Sequence, residues 1–156
     1  MARQYKVMFE GVLIAAPQDL IQITGAAGKV VRILQVWLGC TDTTLAAGQA
    51  LQTRCRYLPV TVTAGSGGTT PTISKTDPGD AAASFTALAN NTTKATTSGT
   101  AIVWDEDGNH LYGGQRTAFN ERPPIGPSEA FVFELLSTVT GTVHLSGGVL
   151  VEEIGG

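Results

Sequence analysis

Charge is what this sequence has least of: Asp, Glu, Lys and Arg make up 15% of its 156 residues, against about 25% in an average soluble domain. The polar surface is therefore built from Thr, Ser, Asn, Gln and Gly, which cost less to desolvate than ions and suit a surface that becomes covered. A basic excess is absent too. The net charge of -3 and a pI near 5.3 argue against a nucleic-acid partner, which requires clustered Lys and Arg to neutralise phosphates. Only Arg54 and Arg56 alternate closely; a strand places both on one face, read here as an exposed face open to an anionic partner. No apolar run approaches the roughly 18 residues of a membrane span, so no membrane partner is expected. The opening MARQYKVMFEG lacks the apolar core and small-residue cleavage site of a signal peptide. Two cysteines, Cys40 and Cys55, are too few for a disulfide framework and have no CxxC spacing. They read as thiols made in a reducing host cytoplasm, with their pairing left open.

What is present is strand. Tyr5, Val7 and Phe9 alternate with Lys6, Met8 and Glu10, and the apolar stretch runs on to Ile14, the pattern of a half-buried strand. DLIQIT, from Asp19 to Thr24, is a second run, stopped by the GAAG turn. KVVRILQVWL, from Lys29 to Leu38, is apolar on both faces, which predicts a central strand covered on two sides with Trp37 in the core. Leu51, Thr53, Cys55 and Tyr57 alternate with Gln52, Arg54 and Arg56 in the clearest period-two pattern of the chain, and Pro59 interrupts it. Thr100 to Trp104, then a turn at Asp107-Gly108, then His110 to Tyr112 read as a hairpin. AFVFELLS (Ala130 to Ser137), Thr142 to Leu145 and Gly148 to Ile154 read as further strands, with a bulge or turn at Gly147-Gly148.

Between the strands, Gly65 to Ser84 carries almost no large apolar residue apart from Ile73, and a loop longer than about 12–15 residues calls for a purpose. It reads as a flexible arm, and the region 65–99 as an excursion from one domain spanning 1–156. Short helices fit only at Leu45 to Leu51 and Ala81 to Asn90. Eight to ten short strands punctuated by Gly and Pro describe an all-β fold: a single-domain antiparallel β-sandwich, jelly-roll-like, with a long Gly/Thr/Pro-rich loop.

Catalytic chemistry finds little to work with. His110 and His144 are the two histidines, too few to assemble the ligand cluster of a metal-dependent jelly-roll enzyme. GSGG at Gly65 has neither the GxSxG spacing nor the strand-to-helix setting of a nucleophile elbow. Asp105, Asp107 and Asn109 imitate the start of a calcium loop, but His110 stands where the glycine belongs and Arg116 where the bidentate Glu belongs. No enzyme, cofactor or metal is expected. A carbohydrate-binding module, which would present a row of exposed aromatics, is the alternative; aromatics are 6% of the chain.

The stretches YKVMFEGVLIAAPQDLIQI, KVVRILQVWLG, QTRCRYLPVTVTAGSGGTTPT, DPGDAAASF, NNTTKATTSGT and ERPPIGPSEAFVFELL with TVHLSGGVLVEEI resemble the small head proteins of tailed phages, the decoration or cement proteins of their capsids. The resemblance covers nearly the whole chain and rests on strand pattern and loop composition. It implies a homo-oligomeric jelly-roll subunit, with a trimer as the expected form, on the capsid surface of the virion and bound to the major capsid protein. Another virion role, in the tail or at a head-fibre base, belongs to the same class. The residues expected to make contacts are Arg3, Tyr5 and Lys6 in an N-terminal arm, Arg54 and Arg56, Ile73 and Lys75 in the loop, and Pro123, Pro124 and Ile125.

Overall fold

A computed structural model describes residues 2–40, 51–110, 115–118, 124–139 and 143–155, with the side chains of 104–110 and 115–118 left aside. Every regular element among them is a strand: β1 Ala2–Ile14, β2 Gln18–Thr24, β3 Val30–Cys40, β4 Leu51–Leu58, β5 Val62–Thr63, β6 Ile73–Lys75, β7 Thr86–Asn91, β8 Thr96–Thr97, β9 Ile102–His110, β10 Gln115–Ala118, β11 Pro124–Ile125, β12 Ala130–Leu135 and β13 Val143–Ile154.

Two antiparallel sheets form the body. One, sheet A, has the order β10-β3-β13-β1-β6, with β11 also paired to β3; the other, sheet B, has the order β7-β2-β12-β4-β9. Setting aside the insertion between β4 and β9, the eight long strands β1, β2, β3, β4, β9, β10, β12 and β13 pair 1-8-3-6 in sheet A and 2-7-4-5 in sheet B. That is the jelly-roll arrangement, a sandwich of two four-stranded sheets.

The core lies between the sheets. Tyr5, Val7 and Phe9 of β1, Val31, Ile33, Val36 and Leu38 of β3, and Val149 and Val151 of β13 meet Ile21 and Ile23 of β2, Phe131 and Phe133 of β12, and Leu51 and Cys55 of β4. Each large side chain buried this way contributes about 1.5–3 kcal/mol, and the period-two alternation of β1 and β4 is the sequence signature of that one buried face. Tyr5 packs edge-to-face on Phe85 with ring centroids 5.6 Å apart, and its hydroxyl donates to the Ala81 carbonyl. Cys40 and Cys55 remain thiols on strands of opposite sheets.

The insertion is a built part of the fold. β6 pairs with β1 and closes that edge of sheet A, while β7 pairs with β2 and extends sheet B on the same side. The β5–β8 ribbon lies over the outer face of sheet B, where Val62, Ala95 and Ala101 pack on Leu58, Ala130 and Val132 in a second small core. The Gly/Thr/Pro-rich segment was expected to be a flexible arm. Its glycines serve close approach instead: a Cβ at Gly65 would sit 2.7 Å from the Thr93 carbonyl, and one at Gly68 would strike the Ala89 carbonyl.

This third layer explains several departures from the sequence reading. The strands buried on both faces are β2 and β12, beneath the ribbon, whereas β3 buries only its inward face. Trp37 is on the outward face, half-buried, and outside the core. Asp107-Gly108 forms no hairpin turn; β9 runs straight through it, pairing along β4 from Tyr57↔Ile102 to Leu51↔His110 and absorbing the extra residues as bulges. β13 is one strand, and the bulge faces it on β1 between Phe9 and Val12, where Gly11 takes φ +57. Residues 81–85 are irregular and lead into β7 with no helix. The helix expected at Leu45 to Leu51 falls outside the described residues until Leu51, which opens β4.

Candidate contact surface and the buried charge cluster

The two outer faces of the sandwich differ. On sheet B the chain covers itself and traps a group of ions. Glu134 of β12, fully buried, meets Arg54 through its Nε and a terminal nitrogen, both at 2.6 Å, the Arg56 Nε at 2.8 Å and the Lys94 Nζ at 3.0 Å. Asp19 of β2, equally buried, accepts the Ala95 N–H at 2.6 Å and lies 3.9 Å from Arg56. Burial raises the pKa of Asp19 from 3.8 to about 6, with the Glu134 charge adding to the rise and the Ala95 N–H, Arg56 and Lys94 opposing it. Arg54 and Arg56 do share a face, as their spacing predicts, but the anions they meet are Glu134 and Asp19 of the same chain. They are spent on buried carboxylates of sheet B, and the insertion joins the cluster through Lys94 on Glu134 and the Ala95 N–H on Asp19.

Beside the ions, the Gln22 side-chain oxygen accepts the Gly65 N–H at 2.9 Å and an Asn91 Nδ2–H at 3.4 Å, so the ribbon is tied down by amides as well. The sequence offered a signal for the cluster, since acidic residues in otherwise apolar β2 and β12 have to find cations when buried, but it did not show which cations.

Among the described residues, nothing covers the outward face of sheet A around the groove. A groove of about 690 Å³ there is lined by Lys6, Met8, Glu10, Gln35, Trp37, Gly39, Ser146 and Leu150, with Phe9, Leu38 and Gly147 at its floor. Register builds it. β13 lies between β1 and β3, so that Met8, Gly148 and Trp37 form one row across the sheet and Lys6, Leu150 and Gln35 the next. Gly148 is obligatory at the centre: a Cβ there would enter the Trp37 ring and stand 2.7 Å from the Val7 carbonyl. Indole packed over a cross-strand glycine is a recognised way of stabilising a bare position in a sheet. Met8 and Leu13 are about half exposed, which gives this face its apolar character.

The expected contact residues scatter. Tyr5 and Ile125 are fully buried in the core and present no surface. Residues 2–9 belong to a strand flanked by β13 and β6, not to a free arm. Arg3 reaches Asp80 at 3.8 Å, Ile73 packs against the core from β6, and Lys75 and Pro124 are exposed. Pro123 lies outside the described residues, as do the side chains of Trp104, Asp105, Asp107, Asn109 and His110. Of the expected set only Lys6 reaches the groove. Met8, Glu10, Trp37 and Leu150 were missed, because period two says that Met8 points away from Tyr5 without saying what covers it.

Among the described residues no group of three His, Cys, Asp or Glu side chains is placed to hold a metal ion. No protein-family model matches the chain, and no curated protein matches it. Among solved structures it is similar to the structure of the infectious bursal disease virus Gx strain, at 15% identity and TM-score 0.17, covering 100% of this chain and 43% of that one. It is also similar to a mutant VP2 protein of the same virus in derived particles, at 13% identity and TM-score 0.16, covering 98% of this chain and 40% of that one. The chain thus spans about two fifths of the length of those chains, and likeness at this level bears on neither fold nor function.

Proposed function

We propose that this chain is a non-catalytic structural protein of a tailed-phage virion, made in the host cytoplasm, that decorates and stabilises the capsid by binding the major capsid protein and copies of itself. The carrying observation is the contrast between the two outer faces: sheet B is covered by the chain's own insertion, while sheet A, among the described residues, keeps a groove with half-exposed Met8 and partly buried Trp37 at its centre. A low-charge open face is inexpensive to cover. The jelly-roll topology, which recurs in viral capsid and lectin domains, and the resemblance to small head proteins support the reading; fold alone would not. Many such contacts repeated over a lattice add by avidity.

Cosedimentation with purified heads that lack the protein tests this. Saturable binding at a fixed copy number per head is expected, together with loss of binding in Trp37→Asp. Absence of saturable binding overturns it.

One observation favours a second reading. Trp37 faces outward beside Gln35, Glu10 and Ser146, an aromatic flanked by hydrogen-bonding groups, as a sugar subsite requires. A carbohydrate-binding module would retain glycans on an array and lose them in Trp37→Ala; a blank array removes that reading.

A further inference from the structure

Two buried carboxylates of sheet B hold the β5–β8 ribbon down, and only one of them is fully compensated as an anion. We infer that the other, Asp19, takes up a proton as the ribbon closes, which makes the ribbon a flap that acid tightens over the outer face of sheet B. This goes beyond the contact role of sheet A and stands without it.

The two sites lie side by side under the residues that lead into β8. Lys94 meets Glu134, and the next residue, Ala95, meets Asp19. Around Glu134, Arg54 and Arg56 reach one oxygen at 2.6 and 2.8 Å, and Lys94 reaches the other at 3.0 Å. Asp19 is equally buried, but it is served differently. Its Oδ2 accepts the Ala95 N–H at 2.6 Å. Its Oδ1 has no donor among the described residues, and the Arg56 terminal nitrogen stands 3.9 Å away. A buried oxygen without a donor is costly to keep ionised; a proton there removes the charge and turns the group into a donor.

The surroundings of Asp19 favour that proton. Its register partner on β7, Asn91, is neutral and also has a buried oxygen without a donor. On its own strand Gln18 and Gln22 are neutral. Arg54 is spent on Glu134, and Glu106 of β9 occupies the register position next to Arg54. Burial is the largest influence and pushes Asp19 from 3.8 up to about 6, with the Glu134 charge adding to the rise; the Ala95 N–H, Arg56 and Lys94 pull the other way without prevailing.

Lifting the ribbon returns Asp19 to water and to the ordinary carboxylate range. Closing therefore binds a proton between pH about 4 and about 6, so the closed ribbon is favoured below that window and loses ground as pH rises through it. The body does not have to unfold for this. The ribbon rests on a satellite core, Val62, Ala95 and Ala101 against Leu58, Ala130 and Val132, separate from the main core between the sheets. It is entered through Val60, whose φ of 63 is a strained conformation for a β-branched residue. Opening uncovers the two carboxylates and leaves the β2–β12–β4 ladder paired.

Amide hydrogen exchange on the full chain, resolved by residue with NMR, tests the inference. The Ala95 N–H should be less protected than the amides of the β2–β12 ladder, and its protection factor should fall about fifty-fold between pH about 4 and about 7. Asp19→Asn keeps an acceptor for Ala95 and should hold that protection constant within about three-fold across the same range. The carboxyl carbon shift of Asp19 in the wild-type chain should titrate with a midpoint of about 6, a readout that needs no variant to fold. Protection of Ala95 that ignores pH, or a midpoint in the ordinary carboxylate range, overturns the inference and is the result that a water donating to Oδ1 would give. A pH dependence that survives in Asp19→Asn, or Ala95 exchanging only in step with the ladder amides, overturns it as well.

Discussion

Glu134→Gln is the sharpest perturbation of the closed face. The carboxylate is fully buried and its two oxygens face three cations, Arg54 at 2.6 Å, Arg56 at 2.8 Å and Lys94 at 3.0 Å. Removing one partner of a buried ion pair costs about 3–5 kcal/mol, because the remaining charge is left uncompensated. Solvent screens part of that here: the Arg54 and Lys94 side chains are 28% and 32% exposed, so their share is small. Arg56, at 15%, is left with Asp19 at 3.9 Å and carries most of the loss. The expected cost is at the low end, about 3 kcal/mol, which for a chain of this size lowers Tm by roughly 6–12 °C. Urea unfolding measures it as a lower midpoint at unchanged slope. A loss below about 1 kcal/mol would place the cluster among ordinary surface pairs and refute the reasoning. Arg3→Met is the control: its contact with Asp80 is 3.8 Å long and partly exposed, and the expected change is within about 1 kcal/mol.

Three further outcomes follow from single positions. Asp19→Asn can still accept the Ala95 N–H but cannot titrate. Because the Asp19 pKa is raised from 3.8 to about 6, the folded chain holds a proton in that window that the unfolded chain has released, so this group subtracts from stability as pH rises through it. The stability of the variant minus that of wild type should therefore grow by roughly 2 kcal/mol between pH about 4 and about 7, read by urea unfolding at each pH; a difference that is flat or shrinks with pH contradicts this. Gly148→Val drives a side chain into the Trp37 ring and toward the Val7 carbonyl at 2.7 Å; it should cost about 1–3 kcal/mol and change the tryptophan fluorescence. Val60 holds φ 63 at the start of the insertion, a conformation that disfavours β-branched residues, and Val60→Asn should raise stability by about 1 kcal/mol in thermal unfolding.

The fold class was legible because β1 and β4 each bury one face and therefore alternate, and because glycine and proline mark the turns. Trp37 and KVVRILQVWL were misread for one reason. An apolar outward face looks the same in sequence whether a covering layer lies on it or solvent does, and the layer here covers β2 and β12 instead. The insertion was misread for the opposite reason. Small residues such as Gly65 and Gly68 suggest freedom, but in this chain they permit close backbone approach to Thr93 and Ala89. Arg54 and Arg56 announced a charged face; that Glu134 and Asp19 would meet them depends on pairings between strands up to 80 residues apart, which local pattern does not encode. Of the groove, only the outward direction of Lys6, Met8 and Glu10 could be read beforehand. The opposing Gly148, Ser146 and Trp37 enter through register.

Oxidative footprinting of Met8 and Trp37 bears most directly on the claim that the open face of sheet A is where this protein acts. In the dilute isolated chain Met8, half exposed, should oxidise readily. In the assembled particle its rate and that of Trp37 should fall at least about ten-fold, as expected of side chains at the desolvated centre of an interface, while exposed Val60 stays reactive. Equal oxidation of Met8 and Trp37 in the free and assembled states would contradict the account.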